Sequence, residues 1–597
     1  FDGVYRHSTI YLNEKEIGYH ASGYSQFDIE LDVKEGKNEI TVKVDNSKEP
    51  NSRWYTGSGI YRSVYLLIKD NDSIKDIKVE PISYNLPTIN VSCNKQNCLV
   101  DIYDNDINIY HGNIGLIELK DAKLWSIDNP KLYKLVISNN EDKEELMFGI
   151  RKIEYSSSDG LLINGNKTLL RGACIHHDNG ILGACAYKDA EYRKVRILKD
   201  AGYNAIRSAH NPCSEYLLQA CDELGMYVMD EAFDEWYTPK NKYDYAKDFD
   251  DNYLNDLKAF VEKDYNHPSV IMYSIGNEIS ETAQERGIQL TKQMGEYIHS
   301  FDNTRPVTCG VNLFLNGLIS KGIGIYSDDG DGLASKSNSD DSTTNKLSGS
   351  AFYNALMENL SSIKNIVSLA PFADKATKEA FKYLDICGYN YGSARYKKDG
   401  KKYPERIIVG SETYIPELYK NWKKVKEYPY VIGDFVWTGW DYLGESGIGN
   451  WAYESEGFDK KYPILLANSG AIDINGELTS QMYYSRVCYG INDELKMFVR
   501  PVNHCGEKVF KSPWRMSNAI ESWSFKGYEG KETIVEVYSD DDLVELYLND
   551  KKISGVKPKK GVAYFKVKYE PGTLVSKAYD INKNLVGTCS LTTASSS

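Results

Sequence analysis

Two glutamates define the chemistry this chain could perform. Gly276-Asn277-Glu278 follows the apolar run Val270-Ile271-Met272-Tyr273-Ser274-Ile275, and Gly410-Ser411-Glu412 follows Arg406-Ile407-Ile408-Val409. Two carboxyl groups facing each other across a cleft can protonate the leaving oxygen of a glycosidic bond and attack its anomeric carbon. Either motif alone carries little weight, because Asn277 could simply cap a helix. Their meaning depends on a scaffold that sets them opposite each other.

Such a scaffold is legible. Short apolar runs at 169–175, 204–207, 226–229, 269–279, 306–309, 384–388, 406–410 and 430–437 alternate with helix-length segments such as 190–199, 215–224, 254–265 and 289–299. Continuous apolar strands are those buried on both faces, as in a parallel sheet. Eight of them predict a (β/α)8 TIM barrel, whose catalytic groups stand at the C-terminal ends of the strands. Those ends carry His176, His177 and Asp178 on the first strand, Arg207 and His210 on the second, and Glu231, Asp234 and Glu235 on the third. Asn277 and Glu278 end the fourth, Tyr391 the sixth, Glu412 the seventh, and Trp437 to Asp441 the eighth. The two glutamates then face each other from the fourth and seventh strands.

The barrel, at 156–488, is flanked by all-β sandwich domains. Residues 1–70 alternate apolar and polar positions between turn signals, and 71–155 do the same in a smaller, immunoglobulin-like pattern. After the barrel, 489–597 returns to β-alternation. The loop 51–62 is aromatic and Gly-rich, and it suits a plug of its own sandwich better than a reach into another domain. Residues 327–350, rich in Ser, Asp, Gly and Asn, are expected to be a solvated insertion rather than a lid.

Bulk properties exclude several classes. A net charge of −14 argues against a nucleic-acid or anionic-membrane partner, and no apolar run reaches the length of a membrane span. The 11 cysteines are scattered without zinc-type pairs, which favours free thiols, Cys93 and Cys98 included, and a reducing, cytoplasmic location. Phe1 begins inside a strand pattern, so residues are expected to precede it. A homo-oligomer is compatible with the sequence.

The motifs His210-Asn211-Pro212, Gly276-Asn277-Glu278 and Gly410-Ser411-Glu412 resemble glycoside hydrolase family 2. So do the stretch from Asp434 to Gly444, the Asn51-Ser52-Arg53-Trp54-Tyr55 loop and the domain order, over nearly the whole chain. The resemblance implies a jelly roll of the sugar-binding kind, an immunoglobulin-like domain and a barrel, and a retaining exo-glycosidase. It makes Glu278 the acid/base and Glu412 the nucleophile. Arg207 and Tyr391 would keep Glu412 ionised and oriented. Asn277 would meet the sugar 2-hydroxyl, His176, His210 and Asp441 other hydroxyls, and Trp437 would floor the sugar subsite.

β-Glucuronidases of that family carry an Asn-x-Lys motif after the eighth strand. The matching stretch here, Ala467-Asn468-Ser469, lacks the Lys, so a neutral sugar, galactose, is favoured over a uronic acid. Magnesium-binding members pair a Glu with a His after the third strand. Glu235 matches the first, but Tyr237 replaces the His, so no essential metal or other cofactor is expected. The alternatives are a β-glucuronidase with a different basic residue and, more distantly, a non-catalytic carbohydrate-binding protein.

Overall fold

The structure is a computed structural model that describes all residues except 71, 323–363, 457–461, 492–493 and 595–597. The expected insertion at 327–350 lies outside the described residues.

Eight parallel strands close into one barrel in chain order. They are β1 (Leu170–Ile175), β2 (Ala205–Ser208), β3 (Tyr227–Glu231), β4 (Val270–Asn277), β5 (Val307–Asn312), β6 (Cys387–Asn390), β7 (Ile408–Tyr414) and β8 (Val431–Trp437). Every residue of β4, β7 and β8 is buried, because one face meets the helices and the other meets the barrel interior. Ala173, Ile175, Ile206, Val228 and Val436 pack outward against helix residues such as Val195, Leu198 and Leu217. Leu170, Cys174, Ala205, Met229, Met272, Val409 and Phe435 fill the inside. Gly172 admits that filling, since a Cβ there would stand 2.2 Å from the Phe435 ring. The interior is thus a packed core, and a substrate has access only at the strand ends.

Helices on the outside follow ordinary end signals. The helix Glu215–Leu224 starts at Ser214, whose hydroxyl accepts from Leu217 N–H, and stops at Gly225 in the left-handed conformation.

Residues 78–148 form two antiparallel sheets, one of Lys78–Ser83, Thr88–Ser92 and Gly115–Glu118 and one of four strands between Leu99 and Phe148. Trp125, fully buried, donates from its indole to the Asp222 carbonyl, and Arg151 donates to the carbonyls of Pro268 and Val270. These contacts fasten that domain to the barrel's N-terminal side. After the barrel come sheets of three and four strands between Lys496 and Thr592.

The N-terminal region has fewer strands than its alternation predicts. Ser8–Leu12, Lys15–His20 and Ile40–Val44 form a sheet, whereas 27–31 and 63–68 join none. Alternation makes a strand only where a neighbour supplies hydrogen bonds. Leu66, Leu67 and Ile68 are 70, 63 and 88% exposed, as expected of a segment with no partner strand beside it. All 11 cysteines are free thiols, with Cys93 Sγ 3.8 Å from Cys98 Sγ. No helix among the described residues is long and apolar enough to cross a membrane.

Candidate active site

At the C-terminal mouth of the barrel, Arg207 on β2 is the centre of a charge network. Its guanidinium donates to Glu231 at 2.8 to 3.1 Å, to Glu412 Oε1 at 2.8 Å and to Asn277 Oδ1 at 3.0 Å. Arg207 and Glu231 are both wholly inaccessible to solvent. Glu231 also accepts from Ser274 at 2.6 Å and faces His210 Nδ1 at 2.7 Å. That contact turns the other ring nitrogen of His210 toward Glu412 Oε1, 4.0 Å away. Burial, ahead of the charge of Arg207, holds His210 well below the usual imidazole range, so the ring is neutral.

Glu412 sits on β7 beside Asn390 of β6, and its carbonyl accepts from the Tyr391 amide at 2.7 Å. Burial pushes its carboxyl up to about 7, with the negative charge of Glu278 adding to the rise. Arg207 and the Tyr391 hydroxyl pull the other way. Arg207 and Tyr391 thus favour the ionised form, as expected of them, and the desolvation of a closed barrel mouth opposes them.

Glu278 lies just past β4 with φ +43°, its amide bonded to the Gly310 carbonyl at 2.7 Å. Asn312 at the end of β5 donates to its Oε1 at 2.6 Å. This left-handed step turns the chain out of the strand direction immediately after Asn277. The Asn277 amide donates to Asp234 at 3.0 Å and its carbonyl also accepts from Asn390 at 3.1 Å. One N–H of its –NH2 group remains for a ligand.

Aromatic rings make the walls. His210 stacks on Trp437 with centroids 5.1 Å apart and planes within 3°. His176 is enclosed by Trp54, Trp437, His210 and Tyr442. Burial drives it down to about 3, so it is neutral, and among the described residues neither ring nitrogen has a partner with good hydrogen-bond geometry, the Ala209 backbone being the polar group beside it. A buried polar ring without partners is costly unless a ligand or water supplies them. A sugar hydroxyl would do so. Tyr391 stacks on Tyr414 at 4.2 Å and accepts from the Trp514 indole at 3.0 Å.

The structure therefore gathers Glu278, Glu412, Asn277, His176, His210, Tyr391, Trp437 and Arg207 in one place. Asp441 stands four residues past Trp437, the last residue of β8. It is buried, accepts from the Ser469 amide at 3.2 Å, and is pushed up to about 6 by that burial against the pull of Arg515 and neighbouring amides. What it visibly does is peg the 469–472 loop. His177 is half-buried beside Arg62, its Nδ1 3.4 Å from the guanidinium.

Several residues that the sequence placed without a role acquire one in the structure. Glu231 supports both Arg207 and His210. Asp234 accepts from Arg53 at 2.6 and 3.0 Å and from Lys240 at 3.0 Å. These cations outweigh burial and hold its carboxyl well below the usual range. Arg53 and Trp54 belong to the N-terminal loop at 51–62, which reaches the barrel mouth after all. Trp54 is held by a 2.9 Å bond from its indole to the Tyr24 hydroxyl. The loop's Arg-Trp pair was the available signal, a long cation beside a large ring in a segment with no strand pattern. Among the described residues no group of three or more His, Cys, Asp or Glu side chains could hold a metal ion. Glu235 accepts from the Tyr245 amide at 3.0 Å.

Two glutamates at one barrel mouth, Glu412 held by Arg207 and Glu278 by Asn312, beneath aromatic walls, are suited to transfer of a glycosyl group. Comparison with known proteins agrees. Residues 156–449 match the sequence profile of the "Glycosyl hydrolases family 2, TIM barrel domain", and residues 20–151 match that of "Glycosyl hydrolases family 2". Residues 530–587 match a domain of unknown function. A β-galactosidase from Bacteroides ovatus is 28% identical over 96% of this chain and 70% of its own length. A β-glucuronidase from Bacteroides fragilis is 25% identical over 74% of this chain and 66% of its own. The crystal structure of a glycosyl hydrolase family 2 member from Bacteroides cellulosilyticus superimposes with a TM-score of 0.82 at 33% identity. That match covers all of this chain and 74% of that one. Barrel, carboxylate pair and relatives lead to one conclusion: the chain belongs to glycoside hydrolase family 2.

Proposed function

We propose that the protein is a retaining exo-β-galactosidase, with Glu412 as nucleophile and Glu278 as general acid/base. Glu412 attacks the anomeric carbon while Glu278 protonates the departing oxygen. Water, deprotonated by Glu278, then releases the sugar from Glu412. The observation that carries this reading is the Arg207 bridge to Glu412 at 2.8 Å within a site that also holds Glu278. A guanidinium bound to the attacking carboxylate keeps one lone pair directed and the other free.

The choice of a neutral sugar rests on the cations around the site. Arg207 is paired with Glu231 and Glu412, Lys240 with Asp234, and Arg53 with Asp234 and Glu445. A uronate would have to compete with buried carboxylates for each of them. Relatives include enzymes named for galactosides and for glucuronides, so the two sugars are compared directly. Turnover of 4-nitrophenyl β-galactoside is expected to exceed that of the β-glucuronide by at least about a hundredfold, the discrimination a mispaired buried charge imposes. A higher kcat/KM on the glucuronide would sink the galactoside reading and leave the mechanism intact.

The same geometry predicts a pH profile. Glu412 must be ionised to attack, and its carboxyl titrates at about 7 in the free site. Below that pH it carries a proton, so kcat/KM falls tenfold per pH unit on the acid side, as for any single ionisation. Trp514→Phe removes the bond to Tyr391 that leaves the tyrosine proton available to Glu412. Since that hydroxyl lowers the carboxyl, the acid limb of the variant should move to higher pH. An unchanged limb would limit Trp514 to a packing role.

A further inference from the structure

Clefts lie along the N-terminal loop whose Trp54 packs on His176. One is lined by Trp54, Asp234 and Asn51. A second, of about 740 Å³, is bounded by the loop at 46–58, including Trp54, Tyr55 and Asn51. A third, of about 410 Å³, lies between the Ser8–Leu12, Lys15–His20 and Ile40–Val44 sheet and the segment 243–248 that follows β3. Asn51 lines all three, and Trp54 lines the first two. The outer groove therefore adjoins, through Asn51, the clefts lined by Trp54, the ring that packs on His176 and His210.

The outer groove has its own chemistry. Its aromatic residues are Tyr19, which is 55% exposed, and Tyr243. His7 Nδ1 fixes the Tyr19 hydroxyl at 2.5 Å. Its charges are unevenly committed. Asp248 binds Arg6 at 2.8 Å and faces His7. Asp244 accepts from the amides of Lys240, Asn241 and Ala246, and Asp45 from Ser47. Arg6, nearly buried, also donates to the carbonyls of Tyr243 and Asp244. Lys43, Lys48 and Lys247 are different. Each is exposed, and among the described residues none lies within 4.0 Å of a carboxylate oxygen. Lys48 feels the field of Asp45, and Lys247 stands 5.0 Å above the Tyr243 ring.

In a chain of net charge −14, this cleft is lined by Arg6, Lys43, Lys48 and Lys247 against Asp45, Asp244 and Asp248, an excess of one cation that runs against the overall trend. Rings that can stack on sugar faces, next to cations that can meet anionic oxygens, suit a charged saccharide. We propose that this groove is a leaving-group subsite for an anionic sugar, bearing a sulfate ester or a carboxylate, in the oligosaccharide whose terminal residue is cut at the barrel mouth. The proposal rests on the glycosidase reading of the site, and not on galactose being the terminal sugar.

Binding is measured on the full chain carrying Glu412→Gln, so that turnover plays no part. The probes are three oligosaccharide series of graded length: neutral, sulfated and uronate-bearing. At least one anionic series should bind at least tenfold more tightly than the neutral series, with the advantage shrinking as salt rises. Combined Lys43→Ala, Lys48→Ala and Lys247→Ala substitutions should erase the advantage without shifting the melting temperature, because all three side chains are exposed. Tyr19→Ala should weaken neutral and anionic probes alike. Preference for the sulfated or the uronate series identifies which anion the groove takes. Equal affinity for charged and neutral series, or an advantage that survives loss of the lysines, would overturn the proposal. Failure to cleave galactosides would not, since binding of the leaving-group fragment is read without any terminal sugar.

Discussion

Glu412→Gln should reduce kcat on an aryl β-galactoside by about 10⁴-fold or more, the scale on which loss of a covalent nucleophile is felt. The amide is nearly isosteric and can still face Arg207, so the fold and sugar binding persist while attack on the anomeric carbon does not. The paired variant Glu278→Ala separates the roles. With a good leaving group, loss of the acid spares bond cleavage and leaves release of the sugar from Glu412 as the slow step. Azide needs no general base, so adding it should restore turnover and yield the β-galactosyl azide. With Glu412→Ala, azide can act only by entering the vacated face, and the product is the α-azide. If the two variants gave the opposite azides, nucleophile and acid/base would have to be exchanged. Near-normal turnover by Glu412→Gln would remove the carboxylate-pair mechanism altogether.

How much of this was legible follows from the range of each interaction. Strands buried on both faces leave unbroken apolar runs, so β4 and β7 are visible together with the glutamates at their ends. The contacts that make the site work span far greater separations. Arg53 and Asp234 stand 181 positions apart, and Trp514 and Tyr391 stand 123 apart. Neither pair has a local pattern, because both follow from how the flanking domains dock on the barrel mouth. The loop at 51–62 had a composition suited to a plug as well as to a site, and only its position beside His176 decides between them. The segment at 63–68 shows the converse error. Its alternation is genuine, but hydrogen-bond partners, not periodicity, make a strand. The carboxyl of Glu412 is a third case. Its ligands were foreseen, while the desolvation that outweighs them comes from the closed barrel as a whole.

Arg207→Met is the second large effect, and it acts on stability as well as on rate. Glu231 and Glu412 both lean on this guanidinium in a place with no solvent access for Arg207 or Glu231. Removing one partner of a buried ion pair leaves uncompensated charge and costs about 3–5 kcal/mol. The surviving carboxylates escape that cost by taking up protons. Burial already raises the Glu231 carboxyl despite Arg207, and without the cation both groups should titrate higher still. The sign follows: raised carboxyl values favour the folded state at low pH, so the variant's stability deficit should be largest at alkaline pH and shrink on acidification. Activity should move the opposite way, because the nucleophile is needed ionised, and its acid limb should climb past neutrality. Adding Glu231→Gln to Arg207→Met removes one of the stranded charges. It should recover much of the melting temperature and little of the rate, since Glu412 would still lack its cation. Full recovery of turnover in the double variant would mean that Arg207 serves the fold alone. A pH-independent stability deficit would mean that lost packing, rather than buried charge, is what Arg207 prevents.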